Sequence, residues 1–549
     1  MARLFLEATD LRLSFGMKTI LNIPSFRIHE GERIGLVGEN GAGKTTLLRA
    51  LAGELEPESG VVRRYRPVSY IRQTGDDDAE TFDERIGAVF QAQEKREGLS
   101  GGEKTRRRIA AALSSRAHVL LADEPTTDLD ADGVAQLRQQ LLAYPGALLL
   151  VSHDRALLDA VCTSIAELRD GALEIFPGNY AAYRAERERR MEFARFEYDA
   201  YRAEQARLRK VIQSKTEQAS QVRRAPKRMG NSEARLHKRG ATEIVEKIAK
   251  ERKAIESRLN HLEKKERVRE DPEIRMALGG ASPVVSKTML ELRGFTMRIG
   301  GRALLQNASA RVPTGSRTAL LGKNGCGKTS LIRRILQGND PRIRLAPGAK
   351  IGYFGQEHAE ALELERTALQ NAMALSPFSE SEARTVLARL GLKENELFKP
   401  AQLLSGGEKA KVALARLMLS EVNFLILDEP TNHLDIYTME ALEQLLCGYA
   451  GTLLFVSHDE RFVSSLAGRL LLFEDGALRT FEGGSEQYRA SLQADRAQED
   501  AQLDRSVLEM RMAVLSARLA APKKGDDPQA LNEEYFELAR RLRELSKNS

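Results

Sequence analysis

Two kinds of hydrophobic pattern divide the chain. Apolar runs of strand length, such as 147–151, occur within residues 1–180 and again within 288–490. Between those stretches, nearly every residue from 181 to 222 favours a helix, and none is Gly or Pro. The pattern predicts two tandem α/β units joined by a helical linker over 181–287, whose first helix is about 63 Å long.

The linker is predicted to be a helical hairpin. Pro226 and Gly230 end the first helix within 223–231, because Pro lacks an N–H and Gly favours turns. Ser232 can then start a returning helix. Apolar side chains at helical spacing are expected to pack the two helices together. These side chains are Tyr198, Tyr201, Leu208, Ile212, Ile244, Ile248, Ile255, Leu259 and Leu262.

A C-terminal extension, 491–549, completes the predicted organisation. Residues 503–519 and 529–545 are typical of helices, and the Pro and Gly residues within 521–528 predict the turn between them. A simple helical hairpin is one interpretation of this extension, and a contact with a partner is the other.

Composition indicates several folded units without a membrane segment. The 549 residues suffice for three or four units, each with its own core. The apolar runs are far shorter than the roughly 20 residues that cross a bilayer, and Met1–Phe5 lacks a signal-peptide profile. Three scattered cysteines have neither metal nor disulfide spacing. We therefore expect a cytoplasmic protein with no membrane partner.

Positive charge is concentrated in the middle of the linker. Residues 207–239 contain eleven Lys or Arg against Glu217 and Glu233, a net charge of +9, whereas the whole chain has +6. Mixed charges elsewhere in the linker are typical of a solvated helical rod. The cationic tip (223–239) is better suited to a polyanion such as RNA. Its candidate RNA-binding residues are Arg223, Arg224, Lys227, Arg228, Arg235, Lys238 and Arg239.

A glycine-rich loop in the first α/β unit predicts a phosphate site. It follows the strand-like 33–37 and precedes a helical segment, which is the context that a phosphate loop requires. Backbone N–H groups would surround the phosphates, Lys44 would reach the β- and γ-phosphates, and Thr45 would ligate Mg²⁺. The loop consists of Gly38, Glu39, Asn40, Gly41, Ala42, Gly43, Lys44, Thr45 and Thr46.

Two later strands end in residues suited to hydrolysis. The apolar 119–122 leads to Asp123, a candidate Mg²⁺ ligand, and to Glu124, which is placed to polarise an attacking water. The strand 147–151 leads to His153, a candidate contact for the γ-phosphate. A lone histidine at a strand end is more often structural, but its position in this series favours a role in hydrolysis.

The sequence Leu99-Ser100-Gly101-Gly102-Glu103-Lys104 resembles the signature of ATP-binding cassette ATPases. In that family, the signature of one cassette caps the γ-phosphate held by the other, so Ser100, Gly101 and Gly102 are implied ATP ligands. The resemblance also implies that Gln73 senses Mg²⁺ and the attacking water, and that Phe15 stacks on adenine.

The second α/β unit repeats this series. Two cassettes in one chain imply an α/β fold of tandem phosphate-loop cassettes in a monomer, paired within the molecule. Site one would join Lys44 to Ser405, and site two would join Lys328 to Ser100. The repeated residues are Gly322, Lys323, Asn324, Gly325, Cys326, Gly327, Lys328, Thr329, Ser330, the Mg²⁺ residues Gln356 and Asp428, the signature Ser405, Gly406 and Gly407, and the catalytic Glu429 and His458.

The two copies differ in places. Thr127-Asp128 stands where the second copy has Asn432-His433, and Ile299 stands where the first has Phe15. Residues 74–99 are 26 in number, whereas 48 residues separate Gln356 from Ser405, so the first helical subdomain is predicted to be shorter.

Two cassettes, a helical linker after 178–183 and no membrane segment resemble the ABC-F family of ribosome-associated ATPases. The short first subdomain, Thr127-Asp128, the long linker and the C-terminal extension are more similar to the antibiotic-resistance branch. That branch implies ATP and Mg²⁺ as cofactors and the bacterial 70S ribosome as partner. The tip would enter on the E-site side, near 23S rRNA and the P-site tRNA. The extension would touch the ribosome.

Three alternatives stay open from the sequence. A housekeeping ABC-F translation factor would share every motif. A DNA-binding cassette ATPase linked to repair would also use a basic hairpin. A transporter subunit fits least well, because both cassettes are tied to a polar linker and no apolar run spans a bilayer.

Overall fold

A computed structural model describes residues 3–16, 18–73, 82–90, 101–222, 231–262, 284–355, 362–432, 434–474, 476–520 and 528–547. The chain forms two compact units. The first contains Met1–Asp76, Ala112–Pro125 and Gln140–Glu273, and the second contains Asp77–Ala111, Thr126–Gln139 and Ile274–Ser549. Two segments of the first sequence repeat therefore belong to the second unit.

The first repeat contains two sheets and short helices. Its strands are β1 Leu4–Phe15, β2 Lys18–His29, β3 Arg33–Val37, β4 Ser59–Arg64, β5 Val68–Ile71, β6 Val119–Asp123, β7 Ala147–Val151, β8 Ser164–Arg169 and β9 Ala172–Pro177. Its helices are α1 Lys44–Ala52, α2 Glu84–Val89, α3 Gly101–Ser114, α4 Ala131–Ala143 and α5 Arg155–Val161. The antiparallel sheet has the order β2-β1-β4, and the larger sheet has the order β5-β6-β7-β3-β8-β9.

Strands β6 and β7 form the buried centre of the larger sheet. They run parallel, with Asp123 opposite Val151, and every residue of both is buried. Continuous apolar runs of this kind are typical of parallel strands that are covered on both faces. The core continues through Leu47 and Leu51 of α1 to Leu6 of the antiparallel sheet. The carboxyl ends of β3, β6 and β7 therefore meet beside α1.

The linker begins with one continuous helix, α6 Tyr180–Val222, which confirms the predicted rod. Its return, α7 Asn231–His261, pairs with it in antiparallel fashion. Lys215 Nζ donates to Glu251 at 2.6 Å, and Arg258 Nη2 lies 3.3 Å from Glu204. The predicted interruption at 223–230 lies outside the described residues. We call the α6–α7 hairpin the arm.

Packing within the arm is thinner than the apolar spacing predicts. Leu208 is buried, but Ile244, which was expected to pack, is 52% exposed. Two helices bury only the narrow stripe that faces the partner helix, and a side chain off that stripe has no third layer to cover it. At its base, the arm is held by Tyr183, whose ring lies edge-on to Phe176 at 5.1 Å.

The second repeat has the same layout with a larger helical subdomain. Its strands are β10 Thr288–Ile299, β11 Arg302–Pro313, β12 Arg317–Gly322, β13 Ile343–Leu345, β14 Ile351–Phe354, β15 Phe424–Asp428, β16 Thr452–Val456, β17 Arg469–Glu474 and β18 Ala477–Glu482. They form sheets of order β11-β10-β13 and β14-β15-β16-β12-β17-β18. Its helices are α8 Lys328–Gln337, α9 Ala368–Met373, α10 Glu380–Arg389, α11 Glu394–Leu397, α12 Gly406–Met418, α13 Ile436–Cys447 and α14 Glu460–Leu466. Helices α9 to α11 precede α12, whereas α2 is the single helix described between β5 and α3, which agrees with the predicted shorter first subdomain.

The chain ends in two helices, α15 Ser485–Ala520 and α16 Pro528–Lys547. The first is longer than the predicted 503–519, because no Gly or Pro interrupts the chain after Ser485. Leu515, Leu531 and Leu538 form the hairpin's small core. Within the described ranges, no helix is long and apolar enough to cross a membrane.

Replacing Leu208 with Ala should loosen the arm. Truncating a buried leucine costs about 2 to 5 kcal/mol, and the narrow arm has few other buried contacts to compensate. Amide hydrogen exchange along α6 should therefore accelerate near residue 208. Phe196, which is 70% exposed on the same helix, provides the control, and its Ala variant should exchange like the wild type. Equal exchange in both variants would contradict this packing.

Candidate active site

The first phosphate loop (38–46) folds around its own lysine. Lys44 Nζ donates to the backbone oxygens of Gly38 and Glu39 at 2.7 and 3.2 Å. Gly43, directly before α1, has φ +103°, and a Cβ there would lie 2.6 Å from the Ile20 side chain. A left-handed glycine is therefore needed to turn the chain into the helix.

The second phosphate loop (322–330) has the same geometry. Lys328 Nζ donates to Gly322 O at 2.7 Å and to Lys323 O at 3.1 Å. Gly327 has φ +112° directly before α8. In each loop the lysine amine and the first helical N–H groups therefore face the same concave turn, which suits an oligophosphate.

Asp123, the last residue of β6, lies buried beside Lys44 of the first phosphate loop. Tyr70 Oη donates to Asp123 Oδ2 at 3.3 Å. Burial raises the pKa of Asp123, while hydrogen bonds from Thr45 and Tyr70 and the charge of Lys44 oppose that rise. The sequence did not identify Tyr70, although the repeat held a signal: Tyr70 and Tyr353 each stand three residues before a predicted glutamine, Gln73 or Gln356.

Asp428 is the counterpart of Asp123 in the second repeat. Burial raises the pKa of Asp428, and Thr329 and Lys328 oppose that rise. Among the described residues, no donor lies at hydrogen-bonding geometry to either of its buried carboxylate oxygens. Uncommitted carboxylate oxygens beside a threonine hydroxyl are the ligand type that Mg²⁺ prefers, directly or through water. Thr329 and Asp428, like Thr45 and Asp123, therefore have the chemistry of a Mg²⁺ site.

The two candidate catalytic glutamates adopt an unusual backbone conformation. Glu124 has φ +48° and Glu429 has φ +52°, a region that non-glycine residues seldom occupy. Their N–H groups continue the sheet by donating to Val151 O at 2.9 Å and Val456 O at 3.0 Å. Each strand thus ends in a sharp turn that aims the carboxylate back towards the phosphate loop. Burial raises the pKa of both glutamates to about 7.

A histidine accompanies each glutamate. His153 N donates to Glu124 Oε2 at 3.0 Å, and His153 Nε2 lies 3.2 Å from Oε1. In the second repeat, the corresponding His458 distances to Glu429 are both 3.3 Å. Burial lowers the pKa of His458 to about 4, and the charge of Lys328 adds to that effect. His458 is therefore neutral near pH 7.

The signature residues are only partly described. Ser405 caps α12 by accepting from Glu408 N, and Glu408 Oε2 accepts from Ser405 N at 2.6 Å. This capping box fixes the N-terminal end of α12, where the first backbone N–H groups of the helix lie. Gly101 and Gly102 begin α3, whereas Ser100 lies outside the described residues.

The remaining predicted residues have different outcomes. Gln73 follows β5, and Gln356 lies outside the described part of the chain. Phe15 is 59% exposed at the end of β1, and Ile299 is 47% exposed at the end of β10, so both are accessible to a base. Of the predicted RNA-binding residues, Arg235, Lys238 and Arg239 lie on α7. The others, which precede Asn231, lie outside the described residues: Arg223, Arg224, Lys227 and Arg228.

Comparison with known proteins identifies both repeats. A family model described as ABC transporter matches residues 21–127 and 305–432. The erythromycin resistance ATP-binding protein MsrA of Staphylococcus epidermidis is 35% identical over 472 residues, covering 84% of this chain and 95% of that protein. The ribosome protection protein VmlR of Bacillus subtilis (strain 168) is 32% identical over 472 residues, covering 84% and 85%.

The fold itself also has solved counterparts. The archaeal ribosome recycling factor aABCE1, determined in complex with the ribosomal stalk protein aP1, superposes with a TM-score of 0.60 at 19% identity. The match covers 88% of this chain and 92% of that one. It confirms the predicted α/β fold of two tandem cassettes.

The pKa of about 7 at Glu124 and Glu429 predicts a pH dependence for ATP hydrolysis. A general base must be deprotonated, and burial keeps these carboxyls protonated to a higher pH than usual. The kcat/KM for ATP should therefore fall roughly tenfold between pH 8 and pH 6. His458, with its pKa of about 4, should contribute nothing in this range. ATP affinity measured at the same pH values is the control, and a flat kcat/KM profile would contradict the assignment.

Proposed function

This chain belongs to the ABC-F family of ATP-binding cassette ATPases, and we propose that it protects bacterial ribosomes by displacing a bound antibiotic. The names of two relatives support this role, since one is an erythromycin resistance protein and the other a ribosome protection protein. This chain covers 95% and 85% of their lengths, so the comparison extends over nearly whole proteins.

The arm is the structural observation that carries this proposal. Helix α6 alone has 43 residues, which corresponds to about 65 Å at 1.5 Å per residue. Residues 207–239, which include the far end of the arm, have a net charge of +9. A narrow, cationic probe of this length suits a path through folded RNA, where phosphates supply the complementary charge.

Each ATP would be held by residues of both cassettes. Lys44 and the first phosphate loop would bind the phosphates of site one, capped by Ser405, Gly406 and Gly407. Lys328 would do the same in site two, capped by Ser100, Gly101 and Gly102. Phe15 would stack on one adenine.

Hydrolysis would depend on the buried carboxylates. Glu124 or Glu429 would take a proton from the attacking water. The left-handed turn of each glutamate and the neighbouring histidine, His153 or His458, would hold its carboxylate in place. Thr45, Asp123 and Gln73 would hold Mg²⁺ in site one, and Thr329, Asp428 and Gln356 would hold it in site two. The bound ion would supply positive charge against the negative charge that develops on the phosphates.

The protein would act in the cytoplasm. There, ATP binding would close the cassettes and fix the angle of the arm. The tip would then enter the 70S ribosome on the E-site side and approach the peptidyl-transferase centre. Contacts with 23S rRNA phosphates and with the displaced P-site tRNA would be mainly electrostatic. Resetting the tRNA or the nearby RNA would release the drug, and ATP hydrolysis would release the protein.

Replacing both Glu124 and Glu429 with Gln should trap the protein on ribosomes. The amide cannot act as a base, so the ATP-bound form should persist and co-sediment with 70S particles at moderate salt. Binding should weaken steeply as salt rises. The wild-type protein is the control and should sediment less. Absence of the double variant from the ribosome pellet, or its preference for duplex DNA in competition, would contradict the proposal.

Expression in a drug-sensitive host should raise its resistance to peptidyl-transferase inhibitors or to macrolides several-fold. Neutralising four tip charges should remove that resistance while leaving ATP hydrolysis unchanged; the changes are Arg223→Gln, Arg224→Gln, Lys227→Gln and Arg228→Gln. The control removes the same charge from α7 through Lys247→Gln, Lys250→Gln, Arg252→Gln and Lys253→Gln.

The control variant should protect the host like the wild type. Growth that is equally sensitive with and without the wild-type protein, across the whole drug panel, would favour a housekeeping translation factor instead.

A further inference from the structure

Asp128, in the second compact unit, contacts both the signature helix α3 and the second phosphate loop. It lies between Glu124 and α4, is exposed, and adopts φ +65°, the left-handed region. Aspartate and asparagine tolerate this conformation better than most residues. The backbone therefore turns sharply at Asp128 and presents both its carbonyl and its carboxylate to neighbouring elements.

The Asp128 carboxylate lies against the start of the signature helix α3. A Cβ built on Gly101 would be 2.9 Å from Asp128 Oδ2, and a Cβ on Gly102 would be 2.8 Å from Asp128 O. The backbone oxygen leaves no room for a side chain at Gly102, whereas a Cβ at Gly101 would require the Asp128 carboxylate to move. The packing of the Asp128 backbone therefore requires a glycine at position 102, and the Asp128 carboxylate fills the space beside Gly101.

The same residue also reaches the second phosphate loop. Asn324 Nδ2 donates to Asp128 O at 3.4 Å. Asn324 stands four residues before Lys328, within the loop that would hold the phosphates of site two. Asp128 therefore lies between the two elements that would receive the γ-phosphate of that site, with its carboxylate against Gly101 and its backbone carbonyl against Asn324.

The other signature differs. Among the described residues, a Cβ on Gly406 would meet no atom within 4 Å. The sequence counterpart of Asp128 is His433, which has no carboxylate and lies outside the described residues. The anionic side chain is therefore a feature of the signature that would serve site two.

We propose that Asp128 weakens ATP retention at site two and so makes the two ATP sites unequal. The inference rests on the composite sites of the proposed function. The N-terminus of α3 attracts negative charge, and the Asp128 carboxylate competes for it with the γ-phosphate. Phosphate binding then requires the carboxylate to swing aside against like-charge repulsion.

This competition would make the two sites release their ATP in a fixed order. Site one, capped by Ser405 and Gly406, would hold its ATP with a histidine, His433, at the position of this acid. Site two would bind ATP more weakly and release it first. Unequal retention lets one site keep the arm in place while the other completes a cycle.

The absence of tryptophan from the chain allows each site to be observed separately. Phe15→Trp would report adenine at site one, and Ile299→Trp would report adenine at site two, because a stacked base quenches indole fluorescence. Each reporter chain is titrated with MgATP at low salt, with and without Asp128→Asn. Asparagine keeps the shape and the left-handed backbone of Asp128 while removing its charge.

Asp128→Asn should lower the ATP dissociation constant roughly three- to tenfold in the Ile299→Trp chain, and less at high salt. It should leave the Phe15→Trp chain unchanged. Asp128→Glu, which keeps the charge, should bind ATP like the parent. Asp132→Asn removes an exposed charge from the first turn of α4 and should change neither reporter.

Two results separate the possible failures. Equal dissociation constants for the Ile299→Trp chain with and without Asp128→Asn would overturn the role of Asp128. Absence of an ATP response from both tryptophans would overturn the nucleotide sites themselves, and with them the proposed function.

Discussion

Each cassette buries two adjacent carboxylates beside one phosphate-loop lysine, and this excess of buried negative charge dominates both active sites. Asp123 and Glu124 in the first cassette, like Asp428 and Glu429 in the second, lie at the end of a fully buried strand. Burying a carboxylate is costly unless it is paired or protonated. Burial accordingly raises the pKa values of all four carboxyl groups, because it disfavours their charged forms. A site in this condition is prepared for a divalent cation and for a base that works near neutral pH.

In the proposed function, the arm would carry the effect of ATP binding from the cassettes to a distant surface. Its helices are rigid because α6 is uninterrupted over 43 residues, and its base is fixed by the packing of Tyr183 on Phe176. In the described part of the arm, Leu208 is buried between the helices, and charged pairs such as Lys215–Glu251 also join them. A rod of this type transmits a rotation at its base to its tip. In the proposed function, the positive charge of the tip would select an RNA surface.

Local signals in the sequence predicted the strands, the phosphate loops and the rod, because each depends on residues that are close along the chain. Contacts between distant segments were not predictable. The Tyr70–Asp123 hydrogen bond joins residues 53 positions apart, and the left-handed turn at Glu124 has no residue preference that announces it. Asp128 was noticed only as a departure from its repeat partner. Its place against Gly101 required the fold.

We propose that ATP-closed cassettes direct a cationic tip into folded ribosomal RNA. Cryo-electron microscopy of 70S ribosomes bound to the Glu124→Gln, Glu429→Gln protein with ATP tests it most directly. We expect density for residues 223–239 in contact with 23S rRNA or the P-site tRNA near the peptidyl-transferase centre. Density that places these residues in free solvent, away from any RNA, would contradict it.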